Sequence, residues 1–216
     1  MSIEEQLRSL RHANRKRFTE RIKVLKPDEK PQLKSWVCCF DLETTNLYGN
    51  FMGVVLCAVI KPWGGKPIIF RGDQYDTWEN GRSDDSQIVL DIYDELKDYG
   101  IWVAHNGLNF DINFLRTRMA ELGIDMPQPK NVDPVRLARR YLRFKFNNLE
   151  AVGEHYGFFG KTRVNPKKWN KAALDGHIPS LEYIVEHCVA DVELLEKITS
   201  KMSYLIPKVT NFGSDT

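Results

Sequence analysis

The stretch Trp36-Val37-Cys38-Cys39-Phe40-Asp41-Leu42-Glu43-Thr44-Thr45 decides the reading of this chain. It is apolar, β-branched and aromatic, free of glycine and proline, and it exits through Thr44, Thr45 and Asn46, which is the pattern of a buried β-strand. Side chains alternate faces along a strand, so Asp41 and Glu43 point one way while Phe40 and Leu42 point the other. Two carboxylates projecting side by side from a buried strand repel each other and lose hydration. A divalent cation bound by hard oxygen donors resolves both costs. A strand end dissolving into a charged loop would look the same over these residues alone, so further acids in apolar settings decide between the readings.

Two more acids are found. Residues 101–104 read as a short buried strand, and the segment Asn106-Gly107-Leu108-Asn109-Phe110-Asp111 leads from it into a helix. Ile112, Leu115, Met119 and Leu122 form the apolar face of that helix, and Gly123 ends it. Asp111 falls in the first turn, where the helix dipole and free N–H groups also favour an acid. The last long helix is expected over about residues 178–202, with an apolar stripe of Leu181, Ile184, Val185, Cys188, Val192, Leu195 and Ile198. Asp191 borders that stripe, and His187, four residues earlier, lies on the same side.

In this order the residues resemble the three motifs of the DEDD, or DnaQ-like, 3′–5′ exonuclease superfamily. The motifs are Asp41-Leu42-Glu43, then Asn106 to Asp111, then Asp191 preceded by His187-Cys188. The Asn106-to-Asp111 spacing is most similar to that of the exonuclease domain of family B DNA polymerases, and the resemblance covers about residues 35–202. It implies a ribonuclease H-like α/β fold and two magnesium or manganese ions held by Asp41, Glu43, Asp111 and Asp191. It also implies a catalytic His187, with Thr44, Thr45, Leu47 and Asn106 around the terminal nucleotides. The superfamily divides by a tyrosine four residues before the last aspartate or a histidine five before it. Here His187 stands four before Asp191 and Glu186 five before it, so the tyrosine subgroup's spacing carries the histidine subgroup's residue.

The rest of the chain is organised around these landmarks. Strands at 36–43, 51–61 and 67–71 form an antiparallel meander, and a helix at about 85–98 follows. Further on come the strand at 101–104, the helix after Asp111, a short segment at Asn131-Val132, and a helix opened by Asp133-Pro134. The expected architecture is a mixed sheet, the meander plus parallel strands, with helices on both faces. Residues 1–34 hold ten Lys or Arg against five Asp or Glu and read as a basic helical extension; residues 203–216 read as a tail. Two basic clusters flank the late helices: Arg136, Arg139, Arg140, Arg143 and Lys145, then Lys161, Arg163, Lys167, Lys168 and Lys171 with Trp169 among them. The second occupies a loop-like stretch, where Lys161 would follow phosphates and Trp169 would stack a base; ordinary surface lysines give the same pattern.

The 42% hydrophobic and 28% charged residues are those of a globular domain, and a net charge of +2 says little about nucleic acid. No apolar segment reaches membrane-spanning length, and the N-terminus lacks a secretory apolar core. Cys38, Cys39, Cys57 and Cys188 sit in apolar runs and read as reduced core residues of a protein in the cytoplasm, or the host cytoplasm for a viral source. The expected function is a 3′–5′ exonuclease serving DNA replication or repair. It would act on single-stranded DNA or frayed 3′ ends and release nucleoside 5′-monophosphates, working for a separate DNA polymerase or replication protein. The alternatives are an RNA-trimming exoribonuclease and a non-catalytic module that binds nucleic acid or a replication protein.

Overall fold

The alternation along residues 37–44 builds the centre of the molecule. In the computed structural model, which describes residues 36–47, 49, 53–78, 84–159 and 165–206, β1 (Val37–Thr44) lies between β2 (Val55–Pro62) and β4 (Ile101–Val103). The five-stranded order is β3-β2-β1-β4-β5, with β3 spanning Ile68–Arg71 and β5 Lys130–Val132. Strands β1, β2 and β3 pair antiparallel, and β4 and β5 join parallel. This is the expected mixed sheet of a ribonuclease H-like fold.

The two faces of β1 feed two cores. Cys38, Phe40 and Leu42 pack with Ala58 and Ile60 against α1 (Ser86–Leu96) and α2 (Asp111–Glu121). Cys39 packs with Cys57, Val59 and Val103 on the other face, against α6 (Ile178–Lys201). Ala138 of α3 (Pro134–Tyr141), Val152 of α4 (Leu149–His155) and Ala172 of α5 (Pro166–Asp175) complete that second core. Asp41 and Glu43 share the face of Cys39, so the strand aims both acids at α6. Pairing with β2 slips between Glu43 and Thr44, where the ladder passes from Glu43–Cys57 to Thr44–Val55. Such an irregularity bends the strand end that carries the acids.

Most helix ends follow local chemistry legible in the chain. Asp133 Oδ1 accepts the Val135 N–H at 2.9 Å and Pro134 opens the first turn of α3. Gly123, at φ 68°, supplies the left-handed residue after α2. Two helices, however, stand where no helix was expected. In α4, Asn148 Oδ1 accepts the Ala151 N–H at 2.8 Å. In α5, Asn165 Oδ1 accepts the Lys167 N–H at 3.2 Å, Pro166 opens the helix, and Gly176 at φ 64° closes it. The stretch around Trp169 is therefore a capped helix and not a loop.

All four cysteines are buried free thiols. None of the described helices is long and apolar enough to cross a membrane. The basic extension over 1–34, Lys161 and Arg163 of the second basic cluster, and positions 207–216 of the tail lie outside the described residues; the start of that tail forms a short turn at Ser203–Leu205.

Candidate active site

Three elements bring the acids together. β1 supplies Asp41 and Glu43 from its carboxyl end. The first turn of α2 brings Asp111, whose Oδ1 accepts the Leu42 N–H at 3.1 Å and so clamps the helix start to the strand between the two acids. The middle of α6 contributes Asp191, which is 8% exposed. Cys188, one turn earlier, lies over Asp41 and its thiol donates to Asp41 Oδ2 at 3.3 Å.

The electrostatics express this convergence. Burial raises Asp41 well above the ordinary carboxylate range, and the charges of Asp111, Glu43 and Asp191 raise it further, against a small opposing pull from the Cys188 thiol. Part of the Asp41 residue still meets solvent; the direction of the shift stands on both its burial and the three neighbouring acids. Burial pushes Asp111 up to about 7, opposed by N–H donors from Leu42 and its own backbone and reinforced by Asp133. The leading influences on both groups include no basic side chain.

His187 and Trp169 form the wall beside Glu43 and Asp191. His187 is 2% exposed, which excludes a solvent-facing histidine, and its Nε2 lies 3.7 Å from Asp191 Oδ2. The Trp169 ring meets the His187 ring edge-on at 5.5 Å, and its indole N–H donates to Glu43 Oε2 at 3.1 Å. Trp169 also packs edge-on against Tyr183, whose ring sits 3.6 Å under Lys168 Nζ. The tryptophan is thus anchored in the acidic site from helix α5. Asn165, Pro166 and Gly176 were the sequence signal for that helix; the bond to Glu43, formed across 126 positions, left none.

Of the residues expected around a terminal nucleotide, Thr44 is buried, Thr45 and Asn106 are half-buried, and Leu47 is exposed. The Thr44 hydroxyl donates to the Asn46 carbonyl at 2.6 Å, and Thr45 Oγ1 accepts the Val54 N–H at 3.0 Å, so both shape the turn after β1. Leu47 is 75% exposed. Asn106 adopts a left-handed φ of 64°; its N–H donates to Asp133 Oδ1 at 2.9 Å and its side-chain oxygen accepts from Asn109 at 2.7 Å. Cys188 and Asp133 are the participants that sequence reading missed: one read as core, the other as a helix cap, and each is also that.

The donor set fits a divalent metal of the magnesium or manganese kind. Four carboxylates would supply hard oxygen ligands of one charge, and burial together with the charges of the other three raises Asp41. Among the described residues no three acidic, histidine or cysteine side chains are already drawn into ligand geometry, so the carboxylates are neighbours rather than a preassembled cage.

Comparison with known proteins agrees with the geometry. The sequence model of the RNase H superfamily matches residues 38–203, most of the chain. Over 134 residues the chain is 31% identical to a DNA polymerase III PolC-type of Ureaplasma parvum serovar 3, covering 54% of this chain and 9% of that protein. The structure resembles that of a family B DNA polymerase from the hyperthermophilic archaeon Pyrobaculum calidifontis, with TM-score 0.62 and 21% identity over 77% of this chain and 24% of that one. The chain thus spans about a tenth and a quarter of these two relatives. Together the matches support a DnaQ-like domain of the exonuclease type.

Proposed function

We propose that this chain, which belongs to the RNase H superfamily, is a metal-dependent 3′–5′ exonuclease that releases nucleoside 5′-monophosphates from the 3′ ends of single-stranded or frayed DNA. One observation carries the reading: Asp111, Glu43 and Asp191 converge on Asp41 at the carboxyl end of the central strand, close enough that the charge of each raises it. The DNA assignment is supported by the two relatives, both DNA polymerases by name.

In this reading Asp41, Glu43, Asp111 and Asp191 hold two magnesium or manganese ions. When bound, the ions supply charge neutralisation at the scissile phosphate and a lowered pKa for the attacking water. The chain's own residues do the rest. The Leu42 N–H fixes Asp111, and the Trp169 indole fixes Glu43. His187, beside Asp191, takes the proton of the attacking water; an imidazole suits this because it titrates near neutrality. Leu47 and Asn106 border the terminal nucleotide. Lys161 lies in the segment before α5 and contacts the strand's phosphates.

Digestion of end-labelled oligonucleotides tests the proposal. Mononucleotides should appear from the start, chelator should stop the reaction, and magnesium or manganese should restore it. A 3′-terminal phosphate should block the substrate. Early mid-chain fragments, or cleavage of a closed circular single strand, would refute an exonuclease.

A further inference from the structure

The first basic cluster is not used by the acidic site, yet the structure gathers three of its members, Arg136, Arg139 and Arg140, around a cavity. Strand β5 is the edge of the sheet. Beside it, α3 and the loop before α2 enclose a space of about 950 Å³. Lys130, Arg136, Arg139 and Arg140 line it, with Asn109 and Tyr141. All four cations are exposed, and those of α3 recur at three- and four-residue steps, which places them on one side of the helix.

None of the four makes an ion pair with a carboxylate among the described residues. The acid in the wall, Asp133, is 4% exposed; it accepts the Asn106 and Val135 N–H groups and feels the backbone N–H and the charge of Arg136, without forming an ion pair with it. Cations elsewhere behave differently: the half-buried Arg71 reaches Asp73 and Glu182, and the exposed Lys97 reaches Asp94. Tyr141 is 44% exposed, with the Arg140 guanidinium over its ring at 5.2 Å. Four exposed positive charges, of which only Arg136 faces an acid in the wall, with side-chain amides and a half-exposed aromatic ring around a concave surface, suit a phosphodiester backbone with its bases free to stack.

The cavity also touches the acidic site through one loop. Asn109 lines the cavity and bonds to Asn106. The same loop runs directly into Asp111, and Asp133, which caps α3, holds the Asn106 N–H. We propose that this groove carries the sugar-phosphate backbone of the single strand whose 3′ end lies at the carboxylates. The groove rests on the exonuclease reading for the position of that end. Phosphate is common to DNA and RNA strands, so the test carries both.

The experiment compares the full chain with its Arg139→Gln/Arg140→Gln variant. Anisotropy in chelator follows labelled oligothymidylate and oligouridylate of roughly 20 nucleotides, and a trinucleotide, over a salt series. Magnesium-supported hydrolysis of thymidine 5′-monophosphate p-nitrophenyl ester, which occupies only the cleavage position, is followed alongside. The long DNA strand should bind about tenfold more weakly in the variant. Its salt dependence should flatten by about 1.4 in log–log slope, at roughly 0.7 per phosphate neutralised. The trinucleotide and the ester should be unaffected. An Arg139→Lys/Arg140→Lys variant keeps the charges and should keep the slope. Unchanged long-strand affinity and slope in the folded glutamine variant would overturn the groove. Equal losses on the trinucleotide and ester would also overturn it, by placing these arginines at the cleavage position. Loss for oligouridylate alone would keep the groove and overturn DNA as its strand. If wild type hydrolyses neither ester nor oligonucleotide while the variant still loses long-strand affinity, the groove stands and the exonuclease reading falls.

Discussion

Two acid sites in this molecule, both tied to helix α2, are built on different plans. Asp85, just before α1, is 4% exposed and accepts the Val55 N–H at 2.8 Å. Arg118 of α2 answers it with a forked pair, Nε at 3.0 Å and Nη2 at 2.5 Å, and its remaining arm reaches Glu121. At the end of β1, Asp41 meets Asp111, Glu43 and Asp191, whose charges add to burial in raising it. A buried acid kept for the fold comes with its cation attached, because an unpaired charge in the interior is costly. A cluster of acids that raise one another suits a cation from solution, and that is the property the proposed function requires of this site.

The contrast can be broken from either side. Asp41→Asn should lower hydrolysis about 10³-fold or more, since it removes a ligand from chemistry worth several kcal/mol, and circular dichroism should show an intact fold. Arg118→Met should do the reverse. It strands Asp85 as an uncompensated buried charge, at a cost of about 3–5 kcal/mol in denaturant unfolding, while turnover per folded molecule stays as in wild type. Equal activity losses in both variants would erase the distinction.

The next effect in size belongs to His187. His187→Ala should slow hydrolysis by roughly 10²–10⁴-fold with DNA affinity unchanged. His187→Tyr should retain more activity than alanine and lose the limb of the pH–rate profile that lies near neutrality. A fully active alanine variant would make His187 a packing partner of Trp169 only. Trp169→Phe is milder: it keeps the ring against His187 and removes the donor to Glu43. The concentration of magnesium needed for half-maximal rate should rise about 10–100-fold, as for other groups that orient metal ligands. An unchanged metal requirement would detach Trp169 from the site.

Much of this arrangement was legible in the chain, for identifiable reasons. Period-two alternation placed Asp41 and Glu43 on one face of a central strand, and the stripe of α6 placed Asp191 and His187 along its border. Both are local patterns that packing then obeyed. Helices α4 and α5 were missed although Asn148, Asn165, Pro166 and Gly176 gave their ends, because short helices with few apolar positions carry little periodic signal. The setting of Trp169 was misplaced for the same reason: it stands on a capped helix rather than a loop, and from there its indole reaches Glu43. Contacts such as Leu42 with Asp111, or Asp85 with Arg118, join residues 69 and 33 positions apart and have no periodicity to announce them.

The most direct test of the central claim is thermal unfolding of the metal-free protein across pH, with and without manganese. Asp111 titrates near 7 in the fold against 3.8 when unfolded, and Asp41 is raised in the same direction. The native state therefore holds more protons than the unfolded state between those values, and stability is lost as pH rises through that window. Metal-free wild type should accordingly melt several degrees lower at pH near 7.5 than at pH near 5. Manganese should restore the loss at the higher pH, and Asp41→Asn should weaken both responses. A metal-free protein whose melting temperature holds steady over this range, and which manganese leaves unmoved, would contradict the reading of these four carboxylates as a site that awaits a cation.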